Sequence, residues 1–199
     1  VLAPSNPEVH ERLAELPLQA GKPLYIDKPF ADSKAAAERI FAAAEKHGTP
    51  LMSSSALRFG DELICGKVQA LNPQIFCTTG GGRSFDEYGI HQLEMIVSVM
   101  GADVKNMKLT GDSGKLSLSL EYSDGRLAQI AYAPSMPFTV IAANPEKTEV
   151  IPSMSRTFEN LIAEMMNFFA TGKCIIPKEQ TIGIAALLER SVAMLHGCK

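Results

Sequence analysis

Apolar residues recur along this chain with two different periods, and the predicted architecture changes where the period changes. In the first stretch, short apolar runs alternate with helical stripes. Val1-Leu2-Ala3 reads as the end of a strand that Pro4, Asn6 and Pro7 turn aside. Glu8 to Ala20 is predicted as a helix on the stripe Val9, Leu13 and Leu16, with Gly21 as its stop and Pro17 placed to kink or shorten it. Leu24-Tyr25-Ile26, bounded by Pro23 and Pro29, has the continuous apolar character of a buried parallel strand. An Ala-rich helix follows from Asp32 or Ser33 to His47, with Ile40, Phe41 and Ala44 inward, Glu38 and Glu45 outward, and Gly48 closing it. Leu51-Met52 is a further brief strand. Residues 1–53 therefore alternate strand and helix, which is half of a doubly wound domain.

Beyond Arg58 the pattern shifts. Val68 to Phe76 is expected to be extended, and Phe85 to Met100 helical with Gly101 as its stop. Met107 to Thr110, Leu116 to Tyr122, Arg126 to Tyr132 and Phe138 to Ala142 are alternating strand candidates, and Ser123-Asp124-Gly125 signals a hairpin, so an antiparallel sheet is predicted. Two helices, Ser155 to Thr171 and Lys178 to His196, close the chain around a turn at Gly172 and Pro177. The expected fold class is α/β and α+β: a partial parallel sheet over residues 1–58, then an α+β domain with a mainly antiparallel sheet over residues 59–199.

Composition narrows the partners. A length of 199 residues at 46% hydrophobic suits one full domain, or one domain plus part of another, and argues against two separate large cores. The net charge of -3, spread without a basic stripe, argues against nucleic acid. The longest apolar runs, such as Ile182 to Leu188, fall far short of the roughly 20 residues of a membrane span, so no membrane partner is expected. Cys65, Cys77, Cys174 and Cys198 form neither a C-x-x-C pair nor a cluster with His, which predicts no metal site, no disulfide framework and a reducing cytoplasm. No signal-like segment follows Val1, and the missing initiator Met points to residues ahead of it.

Gly21-Lys22-Pro23-Leu24-Tyr25-Ile26-Asp27-Lys28-Pro29-Phe30-Ala31 resembles the segment in Gfo/Idh/MocA oxidoreductases where an acidic-Lys-Pro motif closes a strand beside the nicotinamide. Gly80-Gly81-Gly82, followed by Glu87-Tyr88-Gly89-Ile90-His91 and Glu94, is similar to that family's Gly-rich turn and acid-x-Gly-x-His helix. The resemblance spans essentially the whole chain. It implies that residues 1–58 are the C-terminal part of a dinucleotide-binding Rossmann-like domain, and residues 59–199 a substrate-binding and oligomerisation domain. It further implies NAD or NADP as cofactor, a hydroxyl-bearing small-molecule substrate such as a sugar or polyol, and a homo-oligomer formed through the C-terminal sheet.

The chemistry agrees. Oxidising an alcohol requires a titratable group within reach of the hydroxyl proton as hydride leaves the carbon. Lys28 stands at the carboxyl end of a parallel strand, where open sheets bind ligands, beside Asp27. Glu87 and His91 are four apart on one helix, close enough for the carboxylate to orient the imidazole. The expected roles are His91 as proton donor or acceptor and substrate contact, Lys28 as substrate and nicotinamide contact, and Glu87 as orienting acid. Asn6, His10 and Asp27 join Lys28 as cofactor contacts by the same resemblance, and Arg58, followed by Phe59, as a substrate contact. The bland alternatives are a solvent-exposed strand-end Lys28, a wet helix face made of Glu87, His91, Glu94 and Ser98, a merely flexible triple glycine, and an Arg58 that pairs with surface carboxylates.

Three departures from the family stand out. No G-x-G-x-x-G occurs, so the front of the dinucleotide-binding unit is expected to be missing and this chain alone to bind NAD(P) weakly and be inactive. The stretch from Arg58 to Gly80 is short. Glu87 replaces the usual Asp. A non-enzymatic interaction domain derived from the family, and an NAD-assisted glycosidase, are the competing readings.

Overall fold

The computed structural model describes residues 1–197; Cys198 lies outside the described residues. Leu2 bridges to Ile26 in parallel, and strand β1 (Leu24–Tyr25) pairs in parallel with β2 (Leu51–Met52). Helices α1 (His10–Gln19) and α2 (Lys34–His47) form the connections. Ser33 caps α2 by accepting from the Ala36 N–H, and Gly48 closes it at φ 64. Both faces of this small sheet are covered. Ala14, Leu18, Ile40 and Ala44 pack with Leu24 and Ile26 on one side, and Tyr25 and Met52 pack with Leu161 and Phe168 on the other.

Two expectations need correction here. The buried stripe of α1 is His10, Ala14 and Leu18, whereas Leu13 and Leu16 are exposed. Small Ala14 allows α1 to approach α2 closely, and that approach selects the face rather than the bulkiest apolar residues. Val68 to Phe76 is not extended throughout. It holds the single helical turn α4 (Lys67–Ala70) after α3 (Asp61–Ile64), and Asn72 adopts a left-handed φ of 49 before strand β3 (Ile75–Gly80) begins.

The second sheet contains β3, β4 (Val104–Asp112), β5 (Lys115–Tyr122), β6 (Leu127–Tyr132), β7 (Thr139–Ala143) and β8 (Thr148–Ile151) in the order β4-β5-β6-β3-β7-β8. Only the β3–β6 pair is parallel. Strand β8 is four residues long with only Val150 and Ile151 apolar, too short a signal for pattern reading. Helix α5 (Phe85–Met100) lies on the sheet and is buried on nearly every side, with Leu93 and Ile96 against Leu118, Ile130 and Val140. Gln92, 0% exposed, pins the helix down by donating to the carbonyl oxygens of Thr78 and Ala131. Helix α6 (Thr157–Thr171) then returns to the parallel sheet. Helix α7 (Lys178–His196) packs on α5 and places Ala185 among the apolar residues of the first half. No helix among the described residues is long and apolar enough to cross a membrane.

Candidate functional site

A cleft of about 700 Å³ opens where the carboxyl edge of the parallel sheet meets the start of α5 and the last turns of α7. Asn6, Asp27 and Lys28 line it from the sheet side, Arg83 from the connection ahead of α5, and Glu87 and Tyr88 from α5 itself. Ala3, Pro29 and Ala31 make an apolar wall. At the rim, the His196 imidazole meets Asp86 at 2.9 Å and ties α7 to α5.

Lys28 and His91, distant in sequence, flank one aromatic ring. The Lys28 ammonium sits 5.8 Å from the Tyr88 centroid, and the His91 ring lies 5.5 Å from the same ring, with Phe138 edge-on at 5.6 Å. Burial pushes the His91 imidazole down to about 4, and the Lys28 charge pushes the same way. His91 is therefore neutral near pH 7. Because its folded value lies below that of the unfolded chain, the unfolded state binds the extra proton, and stability falls as pH drops from about 6.5 toward 4. We expect His91→Gln to flatten that part of the unfolding profile by about 2 kcal/mol between pH 7 and pH 4.5, read by urea titration. An equal pH slope in both proteins would contradict a buried neutral imidazole.

Glu87 is not the group that engages His91. It is exposed and accepts from Arg83 Nη2 at 2.6 Å, while Ser55 Oγ stands 2.6 Å from His91 Nδ1. Ser55 belongs to a clamped turn. The Ser54 carbonyl accepts from Tyr25 Oη at 2.9 Å, the Ser55 N–H donates to Glu94 Oε1 at 3.3 Å, and Arg58 Nε donates to Glu94 Oε2 at 2.5 Å. Arg58 also donates to Gln180 Oε1 at 2.6 Å, and its Nη2 is buried without a partner among the described residues. Arg58 and Glu94 are 8% and 5% exposed, so neither a wet helix face through Glu94 nor a pairing of Arg58 with surface carboxylates describes them.

His10 is fully buried, with Nδ1 at 3.1 Å from the Phe30 carbonyl oxygen and Nε2 at 3.0 Å from that of Pro4. It does not line the cleft; it staples the loop carrying Asn6 to the segment after Lys28. The Asn6 side chain, itself at the cleft, donates to Glu8 Oε1 at 3.0 Å.

The triple glycine is the close-packed end of β3 and the start of its connection to α5. A Cβ on Gly82 would stand 2.1 Å from Tyr88 Cγ, and one on Gly81 2.3 Å from the Ala133 carbonyl oxygen. We expect Gly82→Ala to displace the Tyr88 ring and to cost about 1–3 kcal/mol in chemical denaturation. An unchanged midpoint would show that the ring moves freely.

Sequence reading missed Ser55, Tyr88 and the buried role of Glu94. The available signal was Ser53-Ser54-Ser55 directly after β2, at the edge where ligands bind in open parallel sheets.

A short parallel sheet running into a six-stranded mixed sheet, with a cleft at their junction, is a fold this chain shares with solved structures described as oxidoreductases and dehydrogenases. Among solved structures, an oxidoreductase from Bacillus cereus superposes with a TM-score of 0.73 at 12% identity, over 97% of this chain and 78% of that one. The WlbA dehydrogenase from Bordetella pertussis, in complex with NADH and UDP-GlcNAcA, gives 0.74 at 13% identity, over 94% of this chain and 74% of that one. UDP-N-acetylglucosamine 3-dehydrogenase GnnA from Acidithiobacillus ferrooxidans gives 0.77 at 14% identity, over 96% of this chain and 75% of that one. No family model and no curated protein matches the sequence.

Proposed function

We propose that the chain forms the nicotinamide-facing and substrate-facing part of an NAD(P)-dependent oxidoreductase of the Gfo/Idh/MocA family, acting on a sugar or polyol. The observation that carries this reading is the meeting of Lys28 and His91 around Tyr88: Lys28 and Tyr88 line the cleft, and His91 packs against Tyr88 without itself lining it. The residues present fit the nicotinamide end of the cofactor. Ala3, Pro29 and Ala31 offer an apolar wall for a flat ring, with the Asn6 amide and the Lys28 ammonium as polar partners. They do not fit the pyrophosphate, because Asp27, Asp32, Asp86 and Glu87 leave that cleft rich in carboxylates and no G-x-G-x-x-G occurs in the chain. We assign residues 1–58 to the cofactor side and 59–199 to the substrate side.

When bound, the nicotinamide supplies the carbon that accepts or returns a hydride. Lys28 and His91 hold the substrate oxygen between them and manage its proton and its developing charge. The test is the appearance of reduced-nicotinamide absorbance when the chain, completed by a dinucleotide-binding segment that holds the pyrophosphate, is mixed with NAD+ or NADP+ and a panel of sugars and polyols. Reduction with at least one substrate supports the assignment. No reduction with either cofactor across the panel favours the interaction domain.

Self-association belongs to the same proposal. The outer face of the six-stranded sheet exposes Ile75, Leu127, Ile141 and Val150 at 46%, 46%, 42% and 63%, an apolar face suited to a second copy. The expected result is a dimer or higher oligomer by light scattering that Ile141→Glu shifts to monomer; a monomer before substitution contradicts it. A reducing cytoplasm suits the free thiols of Cys65, Cys77 and Cys174.

A further inference from the structure

Ser55 is 1% exposed, and its hydroxyl has two neighbours within hydrogen-bond reach among the described residues. The Leu57 N–H, 3.3 Å away, can only donate to Oγ. The hydroxyl's single proton is then left with one acceptor, His91 Nδ1 at 2.6 Å. Were the imidazole protonated on Nδ1 instead, two N–H groups would converge on Oγ, and the hydroxyl proton would be buried with nothing to receive it. The backbone that carries the serine is itself held in place. Its own N–H is held by Glu94, Glu94 is held by Arg58, and the Ser54 carbonyl is held by Tyr25. On the far side of the ring, His91 Nε2 has no partner among the described residues and, unlike Arg58 Nη2, is not sealed from solvent.

We propose that Ser55 is a positioning residue that fixes the tautomer of His91, keeping Nδ1 as acceptor and the proton on Nε2, so that the imidazole acts on the substrate oxygen as a hydrogen-bond donor. The part of this that concerns substrate rests on the proposed oxidoreductase reading; the tautomer does not. A neutral imidazole with its proton on Nε2 cannot take a proton there. It polarises a carbonyl, or stabilises an alkoxide, by pointing N–H at oxygen. Proton exchange then falls to Lys28. In the reduction direction the Lys28 ammonium would give its proton to the substrate oxygen as a bound reduced nicotinamide supplied the hydride to the carbon, with His91 Nε2–H steadying that oxygen. This division differs from an imidazole oriented by Glu87, whose carboxylate would demand a proton on Nδ1.

The test is nitrogen NMR of the imidazoles in the 15N-labelled chain at neutral pH, with the His91 signals assigned by their loss in His91→Gln. The expected spectrum has an acceptor-type Nδ1 and a proton-bearing Nε2 from one tautomer. In Ser55→Ala the Nδ1 signal moves toward the protonated position as the two tautomers mix, and in Ser55→Thr, which keeps the hydroxyl, it returns. A proton on Nδ1 in the unsubstituted chain, or identical His91 shifts in Ser55→Ala, overturns the proposal. Should Ser55→Ala fail to fold, the unsubstituted chain and the Thr variant still decide it. Should no substrate be oxidised at all, the oxidoreductase reading fails while the tautomer measurement stands by itself.

Discussion

In the complete protein, with a dinucleotide-binding segment to hold NAD(P), Lys28→Ala and His91→Ala are each expected to lower turnover by about 10²–10⁴-fold, the range for removing a group that moves a proton or steadies charge at the reacting oxygen. Folding should suffer far less. Lys28 is half-buried and its contact with Tyr88 contributes only about 0.5–1 kcal/mol. His91 gives up packing against Tyr88 and Phe138, yet the apolar core under α5 remains intact. Steady-state rates read beside urea midpoints separate the two effects. If both variants turn over at the original rate, the roles assigned to these side chains are wrong, whatever happens to stability.

The largest effect on folding is expected at the buried ion pair. Arg58 and Glu94 face each other at 2.5 Å with both side chains nearly sealed from water. Removing either partner leaves the other charge buried and uncompensated, which costs about 3–5 kcal/mol. Glu94→Ala should do further harm, because the Ser55 N–H loses its acceptor and Ser54 Oγ, 3.4 Å from the same carboxylate, loses one of its own. Urea unfolding of both single variants and the double variant measures this. The double variant should lose clearly less than the two single losses combined, since a charge is no longer stranded. Additive losses would mean that the two groups do not depend on each other.

Much of the first half was legible because its signals are local. The Ala-rich helix, its Ser33 cap and its Gly48 stop lie side by side in sequence, and α2 forms where they indicate. The start and end of α5 were equally plain, with Gly101 closing it. Misreadings arose where a distant partner decides. Large Leu13 and Leu16 dominate any count of apolar positions on α1, but the approach of α2 buries His10 and Ala14 instead. At the site, spacing put Glu87 one turn from His91, and the same spacing puts it one turn from Arg83, whose exposed guanidinium takes it. Ser55 reaches His91 across the junction of the two sheets, and no periodicity along either segment encodes that contact. The burial of Glu94 is hidden for the same reason, since its partner Arg58 lies on another element.

The cleft between the parallel sheet and α5 can be probed directly in the chain itself by titrating reduced nicotinamide mononucleotide into labelled protein and following backbone amide shifts. Perturbations concentrated at Asn6, Lys28 and Tyr88, and weakened in Lys28→Ala, are the predicted result. Saturating shifts confined to a distant face, such as that around Glu62 and Glu149, or no shifts at millimolar ligand, would contradict it.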